Sequence, residues 1–359
     1  MARQESGGLD ARSRRHRLAV SHRRGLMVER LSVFPFFLGC GRSGTTLLRA
    51  LFDAHPDLAI PGESVFISTM CSERTKYETI GGVALDRFVA DVVAHPRFET
   101  WGLPERVLRD ALRLEQPNSL ADAIRVLFAT YATSREKKRY GDKTPVYVLA
   151  IPLLAPVFPE ARFVHIIRDG RNVAPSLMEL PHGPKDLGKA TLYWRRHVQR
   201  GRKAGARLGP QRYREIRYES LTADAERVVR ELCGFLELTY DDRMVQYVDR
   251  SADLTRTFTA EERGFHRNLS LPPTSGLRDW RRELSGRDIE LIEALAGDLL
   301  DDLGYERANG APGVGSRAQA AEALAREWSR RVGHRLVEMG GDLVKRTAVV
   351  HGADRRKDE

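Results

Sequence analysis

VFPFFLGCGRSGTT, residues Val33–Thr46, is the stretch whose reading decides the fold. Val33–Leu38 is short and apolar, as a buried strand must be. From Thr45 to Ala54 the apolar residues fall at helical spacing, with Leu47, Leu48 and Leu51 on one face. Between them lies Gly39-Cys40-Gly41-Arg42-Ser43-Gly44-Thr45-Thr46. Gly41 and Gly44 let the backbone turn tightly and bring amide N–H groups up to an anion at a helix N-terminus. Ser43, Thr45 and Thr46 add hydroxyl donors, and Arg42 adds charge. The segment is an anion cradle.

Two familiar nucleotide cradles compete for these letters. They satisfy G-x-G-x-x-G, with Glu63 placed 19 residues beyond Gly44, near where a dinucleotide fold keeps its ribose-binding acid. Pro61-Gly62 directly before Glu63 strains that reading, because the acid should follow a second strand. The letters also nearly satisfy the triphosphatase loop G-x-x-x-x-G-K-[ST], but Thr45 stands in the lysine position.

A second cradle lies downstream. Arg162–Ile167 (RFVHII) reads as a strand buried in a parallel sheet. Arg168-Asp169-Gly170-Arg171-Asn172 follows it, and Ser176 lies on the next helix. A guanidinium at a strand end and a hydroxyl eight residues later can converge on one phosphate. A nucleotide phosphorylated at both its 5′ and 3′ positions needs two such sites; a triphosphate or a dinucleotide leaves the second unexplained.

On these residues the chain resembles the sulfotransferases that use 3′-phosphoadenosine 5′-phosphosulfate (PAPS). Gly39–Thr46 is similar to their 5′-phosphosulfate loop, whose residue before Ser-Gly-Thr-Thr is lysine in cytosolic aryl enzymes and arginine in many others. LLRALFDAHPDLAIPGES, residues 47–64, looks like the tyrosylprotein and bacterial members. The resemblance implies that Gly41, Arg42, Ser43, Gly44, Thr45 and Thr46 hold the 5′ end and that Arg168 and Ser176 hold the 3′-phosphate. Lys143, in YGDKTP, matches the family lysine that faces the sulfuryl group. Pro145 stands where aryl enzymes keep a catalytic histidine, so that base is missing here. Tyr218, in RYESL, matches a tyrosine that contacts adenine, and GLRDW (276–280) resembles the loop that closes over the nucleotide. By its distance from Arg42, Glu63 matches the catalytic glutamate of tyrosylprotein sulfotransferases. It is the expected general base, with His55 and His165 as rivals. The resemblance spans residues 33–305.

What it implies is a sulfotransferase that moves a sulfuryl group from PAPS to an acceptor hydroxyl by in-line displacement, releasing adenosine 3′,5′-bisphosphate. Glu63, Arg42 and Lys143 are the expected catalytic residues, and no metal is expected. Two alternatives stay open: a P-loop kinase or NTPase, and a nucleotide-binding module without turnover. The fold class is α/β, of the P-loop nucleotide-hydrolase kind, with a mainly parallel central sheet flanked by helices. Strands are expected at Val33–Leu38, Arg162–Ile167 and Tyr213–Tyr218. Helices are expected at 83–94, 119–133, Asn172–Leu180, Leu187–Leu208, Ala223–Phe235 and Arg287–Leu303.

The 359 residues are 42% apolar and 30% charged, a globular composition with enough apolar matter for a core. Three cysteines show neither disulfide parity nor metal-ligand spacing, which suits a reducing compartment. Residues 1–30 hold eight arginines against three acidic residues and read as a basic, solvated arm. Residues 31–307 form the expected sulfotransferase domain, 308–316 a linker, and 317–359 an amphipathic helix and charged tail. Leu324, Trp328, Val332 and Leu336 line one face of that helix. The apolar run 31–39 ends in GCGRSGTT rather than at a cleavage site and is too short to span a bilayer, so a cytoplasmic protein is expected. Nucleic acid is not an expected partner. A homodimer through the C-terminal helix and membrane-surface contact through the basic termini remain open, as does the acceptor. Residues 64–140 and 180–200 are expected to shape the acceptor pocket, and Arg195, Arg196, Arg200, Arg202 and Lys203 suit an acidic acceptor or a solvated helix face.

Overall fold

The computed structural model describes residues 32–250, 258, 269, 271, 278–308, 313–326 and 329. The basic arm, Gly276 and Leu277 of the closing loop, and Trp328, Val332 and Leu336 of the C-terminal stripe lie outside them. The described residues form two compact units. One is drawn from residues up to Arg168 and from Arg196–Leu277; the other from Asp169–Arg195 and from Arg278 onward.

The first unit is built on a four-stranded, wholly parallel sheet. Its strands are β1 (Phe34–Gly39), β2 (Asp142–Lys143), β3 (Ala161–Ile167) and β4 (Tyr213–Arg217), in the order β2-β1-β3-β4. Strand β1 reads as a continuous apolar run because both sheet faces are covered. Phe34, Phe36 and Leu38 enter one core with Phe128, Tyr147, Phe158 and Phe163. Phe37, one residue out of phase, enters the other with Leu48, Phe52, Val229 and Leu232.

Pro35 lies inside this central strand without an N–H to give. The Phe34 amide reaches the Glu160 carbonyl on the β3 side at 3.4 Å, so alternation turns Pro35 towards β2. Strand β2 begins only opposite Phe36, so no ladder bond is lost there.

Helix α1 (Thr45–Asp53) follows β1, α2 (Leu120–Ser134) packs in the first core, and α3 (Ala225–Leu236) packs in the second. Ser119 caps α2 by accepting from the Asp122 amide, and Asp224 caps α3 by accepting from the Arg227 amide.

In the second unit, helix α4 (Gly170–Met178) and helix α5 (Gly286–Asp302) are held by the buried Arg171. Its guanidinium bonds both oxygens of Asp169, meets Glu293 at 2.8 Å, and lies 3.9 Å from the Trp280 ring centroid. Gly170 has the Trp194 ring where a Cβ would be, at 2.7 Å, so this turn admits only glycine without a shift. Leu187–Leu208 is one helix of 22 residues, its residues to Arg195 counted with this unit. Backbone is helical over 314–326, beginning within the stretch read as a linker; Leu324 there is exposed. No described helix is long and apolar enough to cross a membrane.

Candidate active site

Register places the functional residues. Phe37 pairs with Lys143, Gly39 with Ile166, and Ile167 with Arg217, so the four strands end nearly level. The anion loop leaves β1, Lys143 ends β2, Arg168 follows β3, and Tyr218 follows β4. Three inter-strand steps set them along a front of about 14 Å, outside the carboxyl ends where α/β sheets take their ligands.

In the loop, Arg42 adopts a positive φ of 69° and Gly44 one of 97°. Gly44 needs its missing side chain twice, since a Cβ there would also lie 2.4 Å from Cδ2 of Tyr218. The Arg168 guanidinium stacks on that same tyrosine at 4.3 Å, and its Nη1 lies 3.5 Å from the Arg42 carbonyl oxygen. Arg42, Gly44, Arg168 and Tyr218 are thus one cluster, assembled from the ends of three strands.

Between Arg42 and Gly44 in the chain, Ser43 is fully buried and its Oγ has no hydrogen-bond partner among the described residues. A buried hydroxyl left so is costly unless a ligand meets it. Gly44 makes no side-chain cap, and the first amides of α1 have no carbonyl within the helix to meet. Thr45 and Thr46 are buried beside them. Ser176 is buried in α4 of the second unit.

Lys143 forms a second cluster. Its side chain is 3% exposed and its Nζ donates to Oε1 of Glu63 at 2.7 Å, while Glu63 keeps 20% of its side chain open. Helix α1 fixes the approach to Glu63 from one side. The buried Arg49 donates to the Ile60 carbonyl at 3.1 and 2.9 Å, and Asp53 accepts from the Ile60 amide at 2.8 Å. From the other side, Ser64 donates through its amide to Thr144 Oγ1 at 2.9 Å and through its hydroxyl to Asp142, and it accepts from Tyr147. The sequence did not mark Arg49, Ser64, Asp142 or Tyr147; the only hint was that Asp142 precedes Lys143.

Both rival bases are engaged in hydrogen bonds. His55 has both ring nitrogens engaged, Nε2 with the Thr239 carbonyl at 2.8 Å and Nδ1 with the Asp57 amide at 3.0 Å. His165 is fully buried in β3, with Nδ1 2.6 Å from the Tyr213 hydroxyl. That hydroxyl gives its single proton to Glu215 at 3.0 Å, so Nδ1–H must donate to Tyr213 and Nε2 carries the lone pair. Burial first, then the charges of Arg202, His197 and Arg217, push this imidazole down to about 3. Of the basic helix residues, Arg195 pairs with Asp298 and Arg202 with Glu215, so neither is simply solvated. Among the described residues no three His, Cys, Asp or Glu side chains gather as metal ligands.

Residues 35–242, more than half of the chain, match the model of the Sulfotransferase family. Protein-tyrosine sulfotransferase 1 of Danio rerio is 23% identical over 291 residues, covering 78% of this chain and 74% of that protein. Protein-tyrosine sulfotransferase A of Caenorhabditis elegans is 24% identical over 61% of this chain, which spans about half of that relative's length (53%). Among solved structures, the sulfotransferase domain from the Synechococcus PCC 7002 olefin synthase superposes with a TM-score of 0.54 at 22% identity. That match covers 77% of this chain and 95% of that one, a likeness of fold. The chain belongs to the sulfotransferase family.

Proposed function

We propose that this sulfotransferase takes PAPS as its donor and an acceptor hydroxyl as its second substrate, with Glu63 as general base. The observation that carries the reading is the cluster of Arg42, Gly44, Arg168 and Tyr218 around the buried, unpartnered Ser43 hydroxyl. That cluster fits an adenine nucleotide with phosphate at more than one position. The amides of α1, Ser43 and Arg42 would hold the 5′ end, Arg168 the 3′-phosphate, and the Tyr218 ring the base.

PAPS supplies the sulfuryl group on a phosphate leaving group. The acceptor oxygen bonds to sulfur as the sulfur–oxygen bond to that phosphate breaks, and the acceptor proton passes to Glu63. Arg42 and Lys143 stabilise the charge that builds on the departing oxygen. Lys143 Nζ lies 2.7 Å from Glu63, so the proposed base and cation occupy neighbouring positions.

Thermal shifts with adenosine 3′,5′-bisphosphate, ATP and NAD test the nucleotide class: only the first should stabilise strongly. An acceptor screen with labelled PAPS tests turnover and separates an enzyme from a binding module. The names of the nematode and fish relatives put tyrosine peptides first among its acceptors. Glu63→Gln should cut turnover at least about a hundredfold with little change in nucleotide affinity. Near-full turnover in that variant removes Glu63 from the role.

A further inference from the structure

Two adjacent pairs of residues meet at the active site. Glu63-Ser64 lies against Asp142-Lys143, with Glu63 bonded to Lys143 and Ser64 bonded to Asp142. Successive residues of a strand point to opposite faces, so β2 sends Lys143 one way and Asp142 the other. The Glu63-Ser64 segment therefore bonds with both sides of one short strand. Asp142 is 1% exposed, and its Oδ2 accepts from the Ser64 and Thr144 hydroxyls, the latter at 3.2 Å. Thr144 in turn accepts from the Ser64 amide, and Tyr147 closes the ring on the Ser64 carbonyl. Every polar group of Ser64 is used, and Asp142 is the acceptor on which the hydroxyls converge.

We infer that Asp142 is a positioning residue for sulfuryl transfer: through Ser64 it holds the Glu63 carboxylate in register with Lys143. The inference rests on Glu63 being the base. Asp142 itself touches neither substrate. Its Oδ1 has no partner among the described residues, which leaves that oxygen able to carry a proton while Oδ2 keeps both hydroxyl bonds. Burial, countered by the Ser64 and Thr144 hydrogen bonds and reinforced by the Glu63 charge, pushes this carboxyl up to about 7. The groups that face it are Glu63, Lys143 and the Tyr147 phenol, besides the two hydroxyls. A carboxyl changing charge here near neutral pH alters the field at the Glu63–Lys143 pair, so turnover should respond to it.

The test uses the full chain and labelled PAPS with water as acceptor, read as sulfate release, for wild type, E63Q, D142A, D142N and S64A. D142A removes the acceptor of two buried hydroxyls, and its kcat should fall about ten- to a hundredfold with KM for PAPS changed less than about twofold. D142N keeps an oxygen for both hydroxyls and should recover most of that loss, while the wild-type inflection near pH 7 disappears from its kcat profile. S64A, which keeps the carboxyl and removes only the bridging hydroxyl, should fall with D142A; it carries the test if D142A melts below the assay temperature. D142A or S64A with wild-type kcat, or D142N as slow as D142A, or a D142N profile that keeps the inflection, overturns the inference. If E63Q is slow while D142A is not, only the positioning role fails. If E63Q itself turns over normally, the base assignment fails first.

Discussion

Gly44→Ala is the sharpest single probe of the proposed donor cradle. Gly44 sits at φ 97° and ψ 13°, so an alanine pays a backbone cost of about 1–2 kcal/mol for a left-handed conformation. Its new Cβ would lie 2.4 and 2.8 Å from two carbons of the Tyr218 ring, closer than such atoms approach, and overpacking of that kind adds about 1–3 kcal/mol. The sum is a loss of about 2–5 kcal/mol, a fall in melting temperature of roughly 5–15 °C for a body of this size. The ring is also the proposed adenine contact and carries the Arg168 guanidinium, so affinity for adenosine 3′,5′-bisphosphate should weaken with stability. Melting curves with and without that nucleotide give both quantities. In a Tyr218→Ala background the steric part should vanish, and Gly44→Ala should then cost only the backbone part. A Gly44→Ala protein that melts within a degree of wild type, or a cost unchanged in the Tyr218→Ala background, refutes the placement of Tyr218 on the loop.

Other outcomes follow from the same geometry. Arg168→Ala should weaken adenosine 3′,5′-bisphosphate by roughly 10- to 150-fold, the loss of one charge-assisted contact of ~1.5–3 kcal/mol, and leave AMP binding nearly unchanged in calorimetry. Equal losses for both nucleotides would contradict the 3′-phosphate role. His165, held far below its unfolded value near 6.5, keeps the folded state neutral where the unfolded chain takes up a proton. Its contribution to stability is complete above about pH 6.5 and is lost as pH falls from there towards 3, by up to ~1.4 kcal/mol per pH unit. Asp142 acts with the opposite sign, contributing below about pH 4 and losing that contribution as pH rises to about 7. A His165→Gln protein should therefore show a shallower loss of melting temperature between pH 6.5 and 4.5 than wild type; parallel curves would remove His165 from the acid response. Arg171→Ala removes the guanidinium from between Asp169 and Glu293, both buried, and should destabilise by about 3–5 kcal/mol in denaturant melts; a cost under about 1 kcal/mol would contradict the network.

The letters that predicted well were those whose chemistry is local. Phe34–Gly39 and Ala161–Ile167 lie within a residue or so of the strands expected at Val33–Leu38 and Arg162–Ile167, because an apolar run needs only a covered sheet. Leu187–Leu208 is a helix over the bounds expected from its periodicity. Strand β2 was not legible: two polar residues, Asp142 and Lys143, carry no strand pattern, and only the β1 edge beside them makes them one. Helix Glu105–Glu115 was missed although Leu108 and Leu112 stand at helical spacing after Pro104, because six of its eleven residues are charged. In the candidate site, glycines and hydroxyls marked the turn between β1 and α1 that the structure shows. The Ser64–Asp142 bond joins residues 78 apart with no motif between them, so no reading of spacing could have found it. His55 and His165 looked like candidate bases as letters; the hydrogen bonds that engage each ring are what the sequence does not show.

The grip of Arg49 and Asp53 on both peptide groups of Ile60 makes α1 a lever with two ends. Its first turn begins at the anion loop, and its last turn carries the strap that leads to Glu63. A helix does not stretch, so whatever steadies or frays one end is felt at the other. Cargo seated on the loop would steady the proposed proton acceptor at the same stroke. Slower amide exchange at Ile60 on nucleotide addition would be the visible trace of that linkage.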